Sequence, residues 1–321
     1  MSYTIQKETT FQRVRRVFVQ SLNGEEQDYT TGSIDRAIVL LAIPMILEMA
    51  MESLFAVVDA FFVAKIGVEA VATVGLTESM LMLVYSIAIG LSAAATAMVA
   101  RRIGEGDRDA AAKAGAQVIL IAVILSGVIA VPGYFYAEDL LRLMAHDTSV
   151  SETGFHFTRL LLTANLPILL LWMLNGIFRG AGDAATAMRA LWIANGVNII
   201  LCPVLIFGWG PFPAMGVIGS GVATTIGRSS GVAYQLWHLF EVGKIIRLRW
   251  NMLKPKWDTI GTLIKIASGS TGQYLISSAS WIFMIFILGQ IGKEVTAGYT
   301  IAIRIVVFTI LPSWGMANAA A

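Results

Sequence analysis

Eight stretches of apolar residues divide the chain, at about 37–64, 76–99, 114–136, 157–178, 189–208, 215–239, 259–289 and 296–321. Each is near or above the roughly 20 residues that a helix needs to cross a bilayer. The pattern predicts eight transmembrane helices, the seventh beginning with an interfacial turn. The polar segments between them alternate in charge. Sixteen basic residues fall before span one (Lys7, Arg13, Arg15, Arg16, Arg36) and after span two (Arg101, Arg102, Arg108, Lys113), span four (Arg179, Arg189) and span six (Lys244, Arg247, Arg249, Lys254, Lys256). Only Lys65, Arg142 and Lys293 fall on the other side. Cytoplasmic loops carry the excess of Lys and Arg, so the alternation predicts a cytoplasmic N-terminus. Pro132 and Gly133 mark the exit of span three, and 137–156 reads as a short outer surface helix plus loop. Before span one, Phe11, Val14 and Phe18 share one face among arginines, which fits either an interfacial amphipathic helix or a basic tail.

Composition agrees. The chain is 56% hydrophobic and only 14% charged, with a mean hydropathy of +0.72, whereas soluble domains carry about 25% charged residues. Cys202 is the one cysteine, so no intrachain disulfide can form. His146, His156 and His238 are scattered and suggest no metal site. Gly104-Glu105-Gly106-Asp107 and Gly180-Ala181-Gly182-Asp183 follow no strand and lack a full glycine fingerprint. They are read as helix C-caps followed by N-caps, and the sequence offers no ATP or nucleic-acid site.

The chemistry concentrates in span one. From Ala37 to Ala64 there is no basic side chain, yet Glu48, Glu52 and Asp59 lie there. Their spacing puts them within about 40° of one another on a helix. A carboxylate at membrane depth costs roughly 2.5–3.5 kcal/mol on insertion scales, so an acidic stripe is expected to face a polar cavity. Asn195, Asn198 and Cys202 share a face of span five and fit either that cavity or helix–helix glue. Span six carries Arg228 one turn after Thr224, a candidate counter-ion for Glu48 or Glu52. Span four holds Asn165, Pro167 and Asn175, and Pro167 is expected to kink it.

The chain also repeats itself. Ile66-Gly67-Val68-Glu69 returns as Ile291-Gly292-Lys293-Glu294, and the same offset of 225 brings Gly90 through Ala95 onto Gly315 through Ala320. Six spans is an even number, so two six-span units are parallel, related by an axis along the membrane normal. The predicted organisation is a basic cytoplasmic tail (1–35), an N-lobe of spans one to six (36–240), a cytoplasmic inter-lobe linker (241–257) and the start of a C-lobe (258–321) whose remainder is missing. Glu52 maps onto Ser277 and Asp59 onto Met284, so an ion site belongs to the first lobe.

Taken in order, Ala42-Ile43-Pro44, Val58-Asp59-Ala60-Phe61-Phe62-Val63, Arg179-Gly180-Ala181-Gly182-Asp183 and Asn198-Ile199-Ile200-Leu201-Cys202-Pro203 resemble the multidrug and toxic compound extrusion (MATE) family over about 33–321. The resemblance implies an all-α polytopic membrane protein with one complete six-helix lobe plus the first two helices of a second, parallel-repeat lobe. It implies an antiporter rather than an enzyme, a multi-pass protein of the plasma (inner) membrane, monomeric when full length. Such a protein exports small cationic, amphiphilic molecules in exchange for H+ or Na+ and needs no other cofactor. Asp59 matches the family's coupling-cation aspartate, with Asn198 and Thr224 beside it, a possible Na+ position. Glu48, Glu52, Asn175, Asn195 and Arg228 are assigned to the substrate cavity. Cys202 stands where many members have Asp or Asn, and a thiol suits a hard cation poorly. The alternatives are a lipid-linked oligosaccharide flippase of the same superfamily, which calls for a basic cavity, and an intramembrane enzyme, for which no nucleophile–base pair is present.

Overall fold

The computed structural model describes residues 10–23, 33–144, 148–241 and 246–291, with 302, 306, 310 and 313–317. The described residues are almost wholly helical. In chain order the helices are α1 (Thr10–Asn23), α2 (Ile34–Ala64), α3 (Val68–Gly104), α4 (Arg108–Met144), α5 (Thr148–Thr163), α6 (Leu166–Gly180), α7 (Ala184–Phe207), α8 (Val217–Phe240) and α9 (Trp257–Ile291). Helices α2, α3, α4 and α7 are each long and apolar enough to cross a membrane, and the α5–α6 pair, bent by 43°, makes a fifth span when taken as one. The break falls at Ala164 and Asn165, just before Pro167, where the sequence predicts a kink. Helices α8 and α9 occupy the sixth and seventh expected spans, α8 carrying the polar Arg228, Gln235 and His238. The eighth expected span lies mostly outside the described residues, as do Lys7, His146, Lys244, Lys293 and Arg304.

The interior is mostly apolar, and the polar side chains of the spanning helices that are buried lie within it, away from the greasy outer face. On α2, Leu54, Val57 and Phe61 are exposed while Glu48 and Ser53 are buried. Backbone groups are satisfied within the helices, the only arrangement apart from a closed barrel that hydrocarbon tolerates.

Two expectations are corrected. The helix of span three does not stop at Pro132: α4 runs on to Met144 and α5 starts at Thr148, so helix covers 137–144 and 148–156 in place of one short surface helix. Gly133 explains the continuation, because a Cβ there would lie 2.6 Å from Leu162 Cβ, so this part of α4 is pressed against α5. Nor are Arg179 and Arg189 loop residues. Arg179 closes α6, and Arg189, on α7, donates to the Leu22 carbonyl of α1 at 2.5 Å.

Both glycine-rich turns have one construction. Gly106 (φ 78°) and Gly182 (φ 81°) take the left-handed conformation that ends the preceding helix. Asp107 then accepts from the Ala110 amide at 2.8 Å, and Asp183 from the Thr186 amide at 3.0 Å. In the first turn, hydrogen bonds from Arg101 and Arg102 hold the Glu105 carboxyl below the usual carboxylate range. Asp183→Ala is expected to lower stability by about 1 kcal/mol, with Asp183→Ser retaining most of it, as read by thermal unfolding in detergent.

The repeat reappears as a pair of contacts. A Cβ on Gly90 of α3 would lie 2.0 Å from Thr271 Oγ1 of α9, and one on Gly315 would lie 2.7 Å from the Met45 carbonyl oxygen and 2.8 Å from the Ile46 amide of α2. Gly315 is Gly90 plus 225, and Thr271 is Ile46 plus 225. The second span of each unit therefore crosses the first span of the other at a glycine. Ser86 and Ser278 add a hydrogen bond of 2.9 Å between α3 and α9.

Candidate functional site

The three carboxylates of α2 each reach a different set of neighbours. Glu48, only 1% exposed, accepts from Asn175 Nδ2 at 2.9 Å and from Arg179 Nη2 at 2.5 Å, both on α6. Asn175 in turn accepts from Gln235 Nε2 of α8 at 2.5 Å. Glu52 accepts from Asn195 of α7 at 2.9 Å and is held at both oxygens by Arg228 of α8, at 3.2 Å and 2.6 Å. The Arg228 guanidinium also lies 5.1 Å from the Phe55 ring centre. Asp59, half-buried, accepts from Ser220 Oγ of α8 at 2.8 Å and faces Cys202 Sγ of α7 at 3.4 Å.

Helix registers explain these partners. Asn195–Glu52 and Cys202–Asp59 have the same sequence separation, 143, so α2 and α7 run parallel with matched turns. Asn198 then falls level with the stretch between Glu52 and Asp59. Its Nδ2 donates to Thr224 Oγ1 at 3.0 Å. Its Oδ1 has no hydrogen-bond partner among the described residues, although Asn198 is only 3% exposed.

The placement of the expected residues is therefore mixed. Asn198 and Thr224 bond to each other, whereas Asp59 bonds to Ser220 and Cys202, one turn away on α8 and α7. Arg228 pairs with Glu52, not with Glu48. Sequence reasoning missed Ser220, Arg179 and Gln235. Ser220, Thr224 and Arg228 form an i, i+4, i+8 row, and Arg179 stands at i+4 from Asn175, so both signals were present in the spacing.

Glu48 and Glu52 each hold an arginine whose side chain is at most 10% exposed, so two of the three acids of the stripe are paired within the protein. The stripe faces protein rather than open water, and buried carboxylates at membrane depth need cationic partners. Beside it lies a small cavity of about 10 Å3, room for about one water, lined by Glu48, Met49, Glu52, Leu171, Trp172, Asn175 and Leu191.

Oxygen predominates around Asp59: Ser220 bonds it, and Asn198 and Thr224 sit one turn away. That donor chemistry fits a hard monovalent cation or a proton, and Cys202 is the one soft neighbour named. No group of three His, Cys, Asp or Glu side chains converges among the described residues.

Known proteins resemble the chain along most of its length. A probable multidrug resistance protein, NorM of Thermotoga maritima, is 26% identical over 287 residues, 89% of this chain and 61% of that protein. An FAD transporter of Shewanella oneidensis is 30% identical over 196 residues, 60% of this chain and 43% of that protein. The solved structure of a MOP-superfamily transporter from Pyrococcus furiosus, described as having a binding pocket of reverse polarity, superposes with a TM-score of 0.82 at 28% identity. That match covers 98% of this chain and 66% of the other. The chain thus spans about 61% of the first relative's length. The family profile of MatE matches residues 44–204, half of the chain; with the helical bundle and the polar ladder of α2, this places the chain in the MatE family as a multi-pass membrane protein.

Proposed function

We propose that the protein is a secondary active efflux antiporter. It exports amphiphilic organic cations from the cytoplasm across the plasma membrane, in exchange for H+ or Na+, by alternating access. The amino terminus is cytoplasmic, as the arginine and lysine distribution favours, and the complete transporter is monomeric. Family membership and the multidrug resistance names of relatives favour this reading over catalysis.

The observation that carries it is the arrangement around Asp59. A half-buried carboxylate lies against Ser220, and the unpartnered Asn198 Oδ1 sits one turn away. Ion or proton occupancy there alters the charge between α2, α7 and α8. The hydrogen bonds of Asp59 to α7 and α8 then change, and α2, which contains Pro44, is free to rearrange. Asn198 and Thr224 serve as neighbouring oxygen donors, with Cys202 as the weak one.

The test is export of a cationic dye from liposomes holding protein made from the complete reading frame, under an imposed Na+ or pH gradient. Asp59→Asn is expected to abolish gradient-driven export while dye binding persists. Export at the unaltered rate refutes the role of Asp59. The gradient that drives the unsubstituted protein identifies the coupling ion.

A further inference from the structure

Helix α1 is divided lengthwise. Ser21 is buried, and Val17 and Gln20, beside it on the helix wheel, are half-buried. The other side carries Phe18, Arg15, Val19 and Arg16, all exposed, in that order around about 160° of the helix. Phe18 is 43% exposed and Val19 45%. Leu22, in the last turn against α7, is half-buried on the same arc. The helix holds three arginines and no acid.

Two anchors set this orientation. Arg189 of α7 donates to the Leu22 carbonyl at 2.5 Å, and Arg36 of α2 donates to Gln20 Oε1 at 3.1 Å. Arg36 stands in the first turn of α2 and Arg189 in the second turn of α7. The last turn of α1 is therefore held near the ends of two spanning helices, at the level of lipid head groups. The alternation of the helices puts Trp250 and Trp257 at the same end of the bundle, both more than three-quarters exposed, and tryptophan is enriched at the membrane–water boundary.

Phe18 and Val19 set between arginines make a poor surface for water and a good one for the edge of a charged bilayer. The apolar side chains enter the acyl boundary, and the arginine stems let the guanidinium groups reach phosphates. A neutral bilayer accepts the apolar part only. An anionic one adds the attraction of its surface charge for each arginine. A soluble acidic partner would satisfy the arginines but would have to displace lipid to reach them.

We propose that the outward arc of α1 is a docking surface for anionic phospholipid, with Arg15 and Arg16 on the head-group phosphates and Phe18 and Val19 in the acyl boundary. The proposal goes beyond the transport reading, and its test needs neither export nor a known orientation.

In protein made from the complete reading frame, Val19→Cys is labelled with the fluorophore NBD; Cys202 is fully buried and does not compete for the label. The protein is reconstituted into liposomes of phosphatidylcholine alone or mixed with phosphatidylglycerol, both carrying a nitroxide quencher on the acyl chains. The ratio of quenched to unquenched label is expected to be about thirtyfold higher with phosphatidylglycerol, from about 1 kcal/mol for each of two arginines. Arg15→Gln/Arg16→Gln is expected to remove that difference, and Arg15→Lys/Arg16→Lys, which keeps the charge, to retain it. Salt at about 1 M, where the Debye length is about 3 Å, should also remove it. Equal quenching in the two lipids overturns the proposal, as does a label that neither lipid quenches, which would mean a face covered by protein or turned to water. So does a difference that survives the glutamine variant or high salt, or one that the lysine variant loses.

Discussion

Arg228→Met is expected to destabilise the protein by about 3–5 kcal/mol, the scale for removing one partner of a buried ion pair. Methionine keeps the apolar stem of the side chain and removes the charged end, including its contact with Phe55, so most of the loss is electrostatic. Glu52 would keep the Asn195 amide but lose both guanidinium bonds. Adding Glu52→Gln to the same protein removes the stranded charge, and most of the stability should return. Steric-trapping or thermal unfolding of the two single variants and the double variant gives the coupling energy. A single-variant loss below about 1 kcal/mol would mean the pair behaves like an exposed one. The Glu48–Arg179 pair, still more deeply buried, should behave in the same sense.

Gly227→Ala comes next in size. Along α8, Gly219, Ala223, Gly227 and Gly231 recur every four residues and face α7. A Cβ on Gly227 would lie 2.5 Å from the Ala194 carbonyl oxygen, and one on Gly231 would lie 2.7 Å from that of Ala190. Backbone oxygens in a helix cannot swing aside, so the two helices must separate. Overpacking of this kind costs typically about 1–3 kcal/mol. Separation would also stretch the Asn198–Thr224 bond, since Asn198 Cβ is 3.1 Å from the same position. Coupling-ion affinity should therefore fall together with stability. Gly196→Ala on α7 is the control: nothing lies within 4 Å of a Cβ there, and the gain in helix propensity predicts a slight rise, about 0.5–1 kcal/mol. Similar behaviour of the two variants would remove the close-packing argument.

The architecture was largely written in hydrophobic periodicity, because a bilayer punishes any departure from long apolar helices. Eight helices, α2 to α9, fall where seven apolar runs predict them, α5 and α6 sharing one run. Misplaced details were those that tertiary packing decides. Pro132 reads as the exit of a span, and the helix runs on past it because α4 packs against α5 there. Arg179 counted as a loop charge because it ends an apolar run; only the fold turns it inward to Glu48. The acidic stripe was legible from spacing alone, and Arg228 could be offered as a counter-ion, but Arg179 could not. Its neutralising arginines come from α6 and α8, more than 120 residues along the chain. Asp59 found Ser220 rather than Thr224 because register, which no single helix encodes, chose between neighbouring turns.

The distance along the chain between the carboxylates of α2 and their partners has a consequence for synthesis. Glu48 meets Asn175 across 127 residues, and Glu52 meets Arg228 across 176. When α2 leaves the ribosome, none of those partners has been made. Its acids must wait through the translation of five more helices, each carboxylate at membrane depth carrying a penalty of roughly 2.5–3.5 kcal/mol. The first span is therefore the last to become thermodynamically committed to the bilayer, and it needs shelter at the insertion machinery until α8 arrives. Nascent chains released before Arg228 should be the ones that quality-control proteases remove.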